Sequence, residues 1–224
     1  MANRKQVAFA YPSIHVKLAS KNKWRFQMIL GIVGSYRKGG TIDQAVSSVL
    51  AAARTNGAET KKIYLKDLNI RFCNNCRRCT QEPGEVPGLC PLEDDMPELI
   101  KEIESADAYV IGAPVNVGNA NALTQRFLER LVCYSFWPWR QAAPKMRKSY
   151  PVKKAVLITS CAMPALMGKF LTGSIRGLKL AVKMIGAKPV ATIYIGLSAM
   201  QEKQVLRKSI LRKMQNSAKK LCCN

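Results

Sequence analysis

The chain has 224 residues, 48% of them hydrophobic and 7% aromatic, which supports a buried core and excludes a disordered chain. That length suits one α/β domain with extensions better than two domains, and no stretch approaches the roughly 18 uninterrupted apolar residues that a membrane span needs. Lys and Arg number 36 against 14 Asp and Glu, a formal net charge of +22 that admits nucleic acid, an anionic surface or an acidic protein as partner.

Residues 1–27 read as a basic extension ahead of the core, with Trp24 and Phe26 as anchors. The apolar run Val7–Tyr11 is short and stops at Pro12, so no secretory signal is read and a cytoplasmic protein is expected. Residues 28–224 then form one domain. Met28–Val33 is an apolar run ending in Gly-Ser, as in a buried parallel strand. Ile42–Asn56 has helical apolar spacing and closes on Asn56-Gly57. Lys61–Leu65 reads as a second strand, and residues 73–90 as an inserted cysteine loop. Asp95, with Pro97 and Glu98 behind it, has the pattern of an N-cap opening a helix to Ala106. Ala108–Ala113 is a third strand, Asn121–Cys133 a helix, and Tyr134–Tyr150 an irregular insertion. Ala155–Thr159, a helix over Phe170–Ile185, a strand over Pro189–Ile195 and a long basic helix over Gln201–Leu221 complete the chain. Five strands alternating with five helices predict an α/β fold with a doubly wound, five-stranded parallel sheet.

The first strand-to-helix turn of such a sheet is where backbone N–H groups meet phosphate. Here it reads Gly34-Ser-Tyr-Arg-Lys-Gly39-Gly40-Thr41. A triphosphate-gripping loop would need Lys where Gly40 stands, and the glycines do not supply the dinucleotide pattern. Two hydroxyls (Ser35, Thr41), two cations (Arg37, Lys38) and two permissive glycines suit one terminal phosphate; the bland alternative is a glycine turn without a ligand.

This loop, with Leu68-Asn69-Ile70-x-x-Cys73, Asp94-Asp95-Met96 and Gly112-Ala-Pro114-Val115 in that order, resembles the NAD(P)H-dependent FMN reductases. Within them the match is closest to the iron–sulfur flavoproteins, over roughly residues 28–197. The resemblance implies a flavodoxin-like fold, FMN at the C-terminal strand ends, and homo-oligomers. It maps Ser35, Arg37, Lys38, Gly40 and Thr41 onto the FMN phosphate loop. Pro114, Val115, Asn116, Val117, Gly118 and Asn119 map onto the loop against the isoalloxazine ring, and Ser160-Cys161-Ala162 onto its other side. Asn116 departs from the aromatic residue that family members often carry there.

Cys73-x2-Cys76-x2-Cys79-x10-Cys90-Pro91 is the second motif. Three cysteines at this spacing followed by Cys-Pro echo the ferredoxin pattern, and zinc sites more often pair separated knuckles or use His. A [4Fe–4S] cluster on Cys73, Cys76, Cys79 and Cys90 is therefore favoured over zinc, with redox-active thiols as a third reading. The ten-residue last gap is longer than iron–sulfur flavoproteins usually show. Arg71, Arg77 and Arg78 flank the cysteines and are expected to lower thiol pKa or offset cluster charge. Cys161 reads as an apolar filler, Trp137 and Trp139 as core residues or a lid, Cys222-Cys223 as exposed thiols, and the single His15 has no assigned role.

Basic residues crowd the two ends: residues 1–42 hold eight Lys and Arg and no acid, and residues 145–224 hold seventeen against Glu202 alone. No nucleic-acid motif accompanies them, so nucleic acid is not the expected partner. These readings converge on an FMN-dependent oxidoreductase. Electrons would pass between a [4Fe–4S] centre and FMN, with a ferredoxin-like or small-molecule partner. The alternatives are a cluster-free reductase taking hydride from NAD(P)H and reducing a quinone, a basic binding protein on the same scaffold, and a zinc-stabilised module.

Overall fold

The computed structural model describes residues 27–148, 150–202 and 204–222. The expected arm before Gln27, His15 and Cys223 lie outside them.

Five strands run parallel in one sheet: β1 (Met28–Val33), β2 (Glu59–Tyr64), β3 (Ala108–Asn116), β7 (Lys153–Ser160) and β8 (Ala187–Ile195). Their order is β2-β1-β3-β7-β8, the flavodoxin-like arrangement that the sequence predicts. Central strands are buried on both faces because helices cover both, which is why β1 and β3 are almost continuously apolar. Alternate strand residues go to opposite layers. Leu30, Ile32, Tyr109, Ile111 and Leu157 join one core with α2 (Met96–Ser105), α3 (Ala122–Arg130) and α5 (Ser174–Met184). Ile29, Val33, Val110, Val156 and Ile158 join the other, with α1 (Thr41–Thr55) and α6 (Lys208–Cys222). Each buried Val, Leu or Ile contributes about 1.5–3 kcal/mol. The first helix lies tight on the sheet: a Cβ on Gly112 would stand 2.8 Å from Ile42 and from Val46.

Pro189 sits in β8, an edge strand, where its missing N–H is tolerated, beside a register shift between Ala155 and Val156. Several boundaries differ from the sequence reading. The third strand continues past Ala113 and folds back through β4 (Asn119–Ala120) as an antiparallel hairpin. The insertion 134–150 contains a two-stranded ribbon, β5 (Ser135–Phe136) with β6 (Lys145–Met146). The helix expected over Phe170–Ile185 is two: α4 (Ala165–Leu171) and α5, broken where extended Thr172 returns its hydroxyl to the Gly168 carbonyl and Gly173 N–H donates to Gly118. The last helix starts at Lys208 rather than Gln201, and the Glu202 and Gln204 carbonyls accept side-chain donors from Arg37 and Gln44. Asp95 makes no capping bond. It accepts the Asn69 N–H, and Asp94 accepts those of Met96 and Arg71, so the acidic pair ties the cysteine-loop entrance to α2.

Candidate functional site

The chain leaves β1 at Val33, and Gly34 N–H donates to the Gly112 carbonyl of the neighbouring strand end. Ser35 Oγ then accepts the Arg37 N–H at 3.2 Å, and Gly39 takes φ +74°, a left-handed conformation in which Gly is at ease. Gly40 is the extended N-cap residue of α1, and no side chain caps that helix. The first N–H groups of α1 are thus available to an anion, with Ser35, Arg37, Lys38 and Thr41 around them.

Beneath the loop lies Asp43, which the sequence reading did not single out. Buried in the first turn of α1, it accepts the Gly39 N–H at 2.7 Å, Lys62 Nζ at 2.9 Å and the Tyr64 hydroxyl at 3.0 Å. Burial pushes its pKa up, but the Gly39, Lys62 and Tyr64 bonds outweigh that and hold the carboxyl below its ordinary 3.8. The carboxylate therefore fixes the turn at Gly39. Lys38 pairs with Asp67 at 2.7 Å, and Arg37 donates to the Glu202 carbonyl at 2.6 Å. Gln44 bridges the Gly39 and Gln204 carbonyls at 2.8 and 2.9 Å.

A cavity of about 700 Å³ opens above this loop, at the C-terminal ends of β1, β3 and β7. Pro114, Val115, Asn116, Ser160 and Ala162 line it with Ser35, Arg37, Lys38, Gly40 and Thr41, so ten of the expected residues share one space. Val117, Gly118 and Asn119 lie outside that lining. They form the tip of the β3–β4 hairpin, with positive φ at Val117 and Gly118 and the Val117 side chain wholly exposed. Residues the sequence reading passed over complete the wall: Asn121, Gln44, and Ser198, Ala199, Gln201, Glu202, Gln204 and Val205. The last group was hidden because the charged pattern there reads as the start of a helix. Cys161 is buried, and its thiol lies 3.3 Å from the Met163 carbonyl.

The cysteine loop stands beside α3. Asn75 and Arg77 take positive φ between the cysteines, so the chain turns sharply twice. Arg77 does not lie against the thiols: its guanidinium stacks between Trp137 (4.0 Å) and Trp139 (4.4 Å) and donates to the Trp137 carbonyl. Arg130 does approach the cysteines, 3.5 Å from Cys90 Sγ, and is paired with buried Asp94. Arg147, also buried, donates to the carbonyls of Cys133, Gly84 and Cys79 at 3.0–3.1 Å. The Cys79 thiol is pushed up to about 11, first by burial and then by Cys90, Cys73 and Cys76, so for this thiol the expected lowering does not occur.

The cavity's volume, the uncapped helix end and a buried amide N–H2 of Asn121 without a protein partner fit a phosphate-bearing cofactor of FMN size. In the other loop the four expected cysteines are free thiols, and three of them act electrostatically on Cys79. The donor chemistry fits an iron–sulfur group, although among the described residues no three His, Cys, Asp or Glu side chains converge on a single ion. No helix of the described residues is long and apolar enough to cross a membrane.

An iron–sulfur flavoprotein of Archaeoglobus fulgidus is 30% identical over 109 residues, 49% of this chain and 47% of the relative. One of Methanocaldococcus jannaschii is 33% identical over 102 residues, 46% of this chain and 50% of the relative. The match thus spans about half the length of these curated relatives. Among solved structures, an FMN-dependent NADH-azoreductase of Bacillus anthracis in complex with FMN superposes with a TM-score of 0.61 at 13% identity, covering 89% of this chain and 100% of that one. A flavodoxin from the domain Archaea gives 0.51 at 7% identity, covering 88% and 96%. Both likenesses show a flavodoxin-like fold. A sequence profile of the NADPH-dependent FMN reductases matches residues 28–165, well over half the sequence, and the chain belongs to that family.

Proposed function

We propose that the chain is an FMN-dependent oxidoreductase of the iron–sulfur flavoprotein type. The observation that carries this is the cavity of about 700 Å³ at the strand ends, with the open N-terminus of α1 at its floor. A bound flavin supplies hydride and single-electron chemistry. The chain's part is to hold and shield it. The N–H groups of α1, the hydroxyls of Ser35 and Thr41 and the cations of Arg37 and Lys38 would hold the phosphate. Pro114–Asn116 and Ser160–Ala162 would flank the ring, with Val117, Gly118 and Asn119 shaping the hairpin from outside. No side chain is assigned a proton-transfer step. Cys73, Cys76, Cys79 and Cys90 would hold a [4Fe–4S] cluster, beside Arg130.

The seven described cysteines are all free, which supports a reducing, cytoplasmic setting. The charge of +22 supports an acidic, ferredoxin-like electron donor. The exposed apolar side chains of α4 (Leu166, Met167, Phe170 and Leu171) support a homo-oligomer. A second reading, a cluster-free reductase using NAD(P)H, is favoured by the family's description.

Anaerobic purification with flavin and metal quantitation separates the two. The expected product is brown, with one FMN and about four irons per chain. Yellow protein without iron or sulfide would leave the second reading, and zinc at the cysteines would replace the cluster. Protein that takes up no FMN and binds DNA in a salt-dependent way would instead be a basic binding protein.

A further inference from the structure

Asn121 lies at the N-cap of α3, with extended backbone (φ −62°, ψ 162°) and 1% of its surface exposed. Its Oδ1 accepts the Thr124 N–H at 3.1 Å and lies 2.7 Å from the Thr124 hydroxyl. A backbone N–H can only donate, so the oxygen of the carboxamide must be the atom facing the helix. The N–H2 group therefore points away from that N–H, and Asn121 is one of the residues that line the cavity. Its Nδ2 is buried and has no hydrogen-bond partner in the protein. An unpaired buried amide donor costs about 1–3 kcal/mol, and Ser, Thr or Asp would cap the helix without leaving one.

The position of Asn121 says what the donor meets. The Thr124 hydroxyl, with its single proton, lies 3.0 Å from the Gly34 carbonyl, at the beginning of the phosphate loop. On its other side Asn121 directly follows the β3–β4 hairpin, whose Pro114–Asn116 arm borders the ring side of the cavity. Asn121 thus stands between the two ends of the cavity. We propose that Asn121 binds the polyhydroxylated linker of the cofactor: its Nδ2 donates to a ribityl oxygen between phosphate and ring, and so selects ribityl flavins over ligands without an oxygen-bearing linker. This rests on the flavin reading above.

Asn121→Asp keeps an oxygen for the Thr124 cap and removes the donor, and Asn121→Ser keeps the cap without adding charge while replacing the N–H2 group by a shorter hydroxyl. Flavin-stripped full chain is titrated with FMN, with riboflavin, which lacks the phosphate, and with lumiflavin, which lacks the ribityl oxygens. Both variants are expected to bind FMN and riboflavin about tenfold or more weakly, to bind lumiflavin as the unaltered chain does, and to melt, flavin-free, no lower than the unaltered chain. Unchanged FMN and riboflavin binding overturns the inference while leaving the flavin reading intact. So does an equal loss for lumiflavin, which would indicate a general defect of the cavity. If the unaltered chain binds none of the three, the flavin reading itself fails and the inference with it.

Discussion

Two charged side chains below the surface organise the loops that the chemistry needs. Asp43 gathers Gly39 N–H, Lys62 and Tyr64 around one carboxylate. Asp43→Asn is expected to lower stability by about 1–3 kcal/mol and to weaken FMN binding by loosening the Gly39 turn. Its pKa is lower in the folded chain than in the unfolded one. The stability it contributes is therefore fully present above the ordinary value of 3.8 and is lost as pH falls through the folded value. Denaturant midpoints followed from neutral pH down to about pH 3 should fall more steeply in the unaltered chain than in Asp43→Asn. Arg147 has no carboxylate partner among the described residues and instead holds three carbonyls, one of them that of Cys79. Arg147→Met is expected to cost about 3 kcal/mol in urea unfolding and to speed alkylation of Cys79 in metal-free protein. Unchanged labelling would show that the loop does not depend on it.

Among elements, the cysteine loop is the one most dependent on close backbone approach. A Cβ on Gly88 would stand 1.8 Å from the Cys79 carbonyl oxygen, and Gly88 N–H donates to the Cys133 carbonyl at 2.9 Å. Gly88→Ala must part the arm carrying Cys90 from the one carrying Cys79. The expected result is a lower melting temperature together with reduced iron per chain after anaerobic reconstitution, while flavin content holds. Equal iron in variant and unaltered chain would remove Cys90 from the ligand set. The sheet and its layers were legible in the sequence because apolar period follows from which faces are covered. The break between α4 and α5 was not, because it depends on Gly118, distant in sequence, accepting the Gly173 N–H. The expected cap at Asp95 failed for a similar reason: the side chain is drawn to Asn69 across the loop.

At the scale of the molecule, the exposed helix α4 presents Leu166 and Phe170 at 69% and 73% exposure. Apolar surface of this kind on one helix favours association. Leu166→Glu with Phe170→Glu is expected to yield a smaller species than the unaltered chain in sedimentation equilibrium. Equal masses would place the subunit contact elsewhere or remove it. The charge distribution is consistent along the last helix, where Lys219 and Lys220 sit in the final turn and no acid stands in the first.

By itself the sequence determined the doubly wound sheet, the glycine loop after its first strand with no lysine at position 40, and the spacing of the cysteine quartet, because these are written in local period and spacing. Tertiary structure alone decided that Asp43 fixes the loop and that Arg130 rather than Arg77 faces the thiols. It also decided that Ser198, Ala199, Gln201, Glu202, Gln204 and Val205 wall the cavity and that Asn121, which also lines it, keeps a buried N–H2 without a protein partner. Each of these depends on which partners remain for a polar group once the backbone has claimed its own. That is settled only when distant segments are brought together.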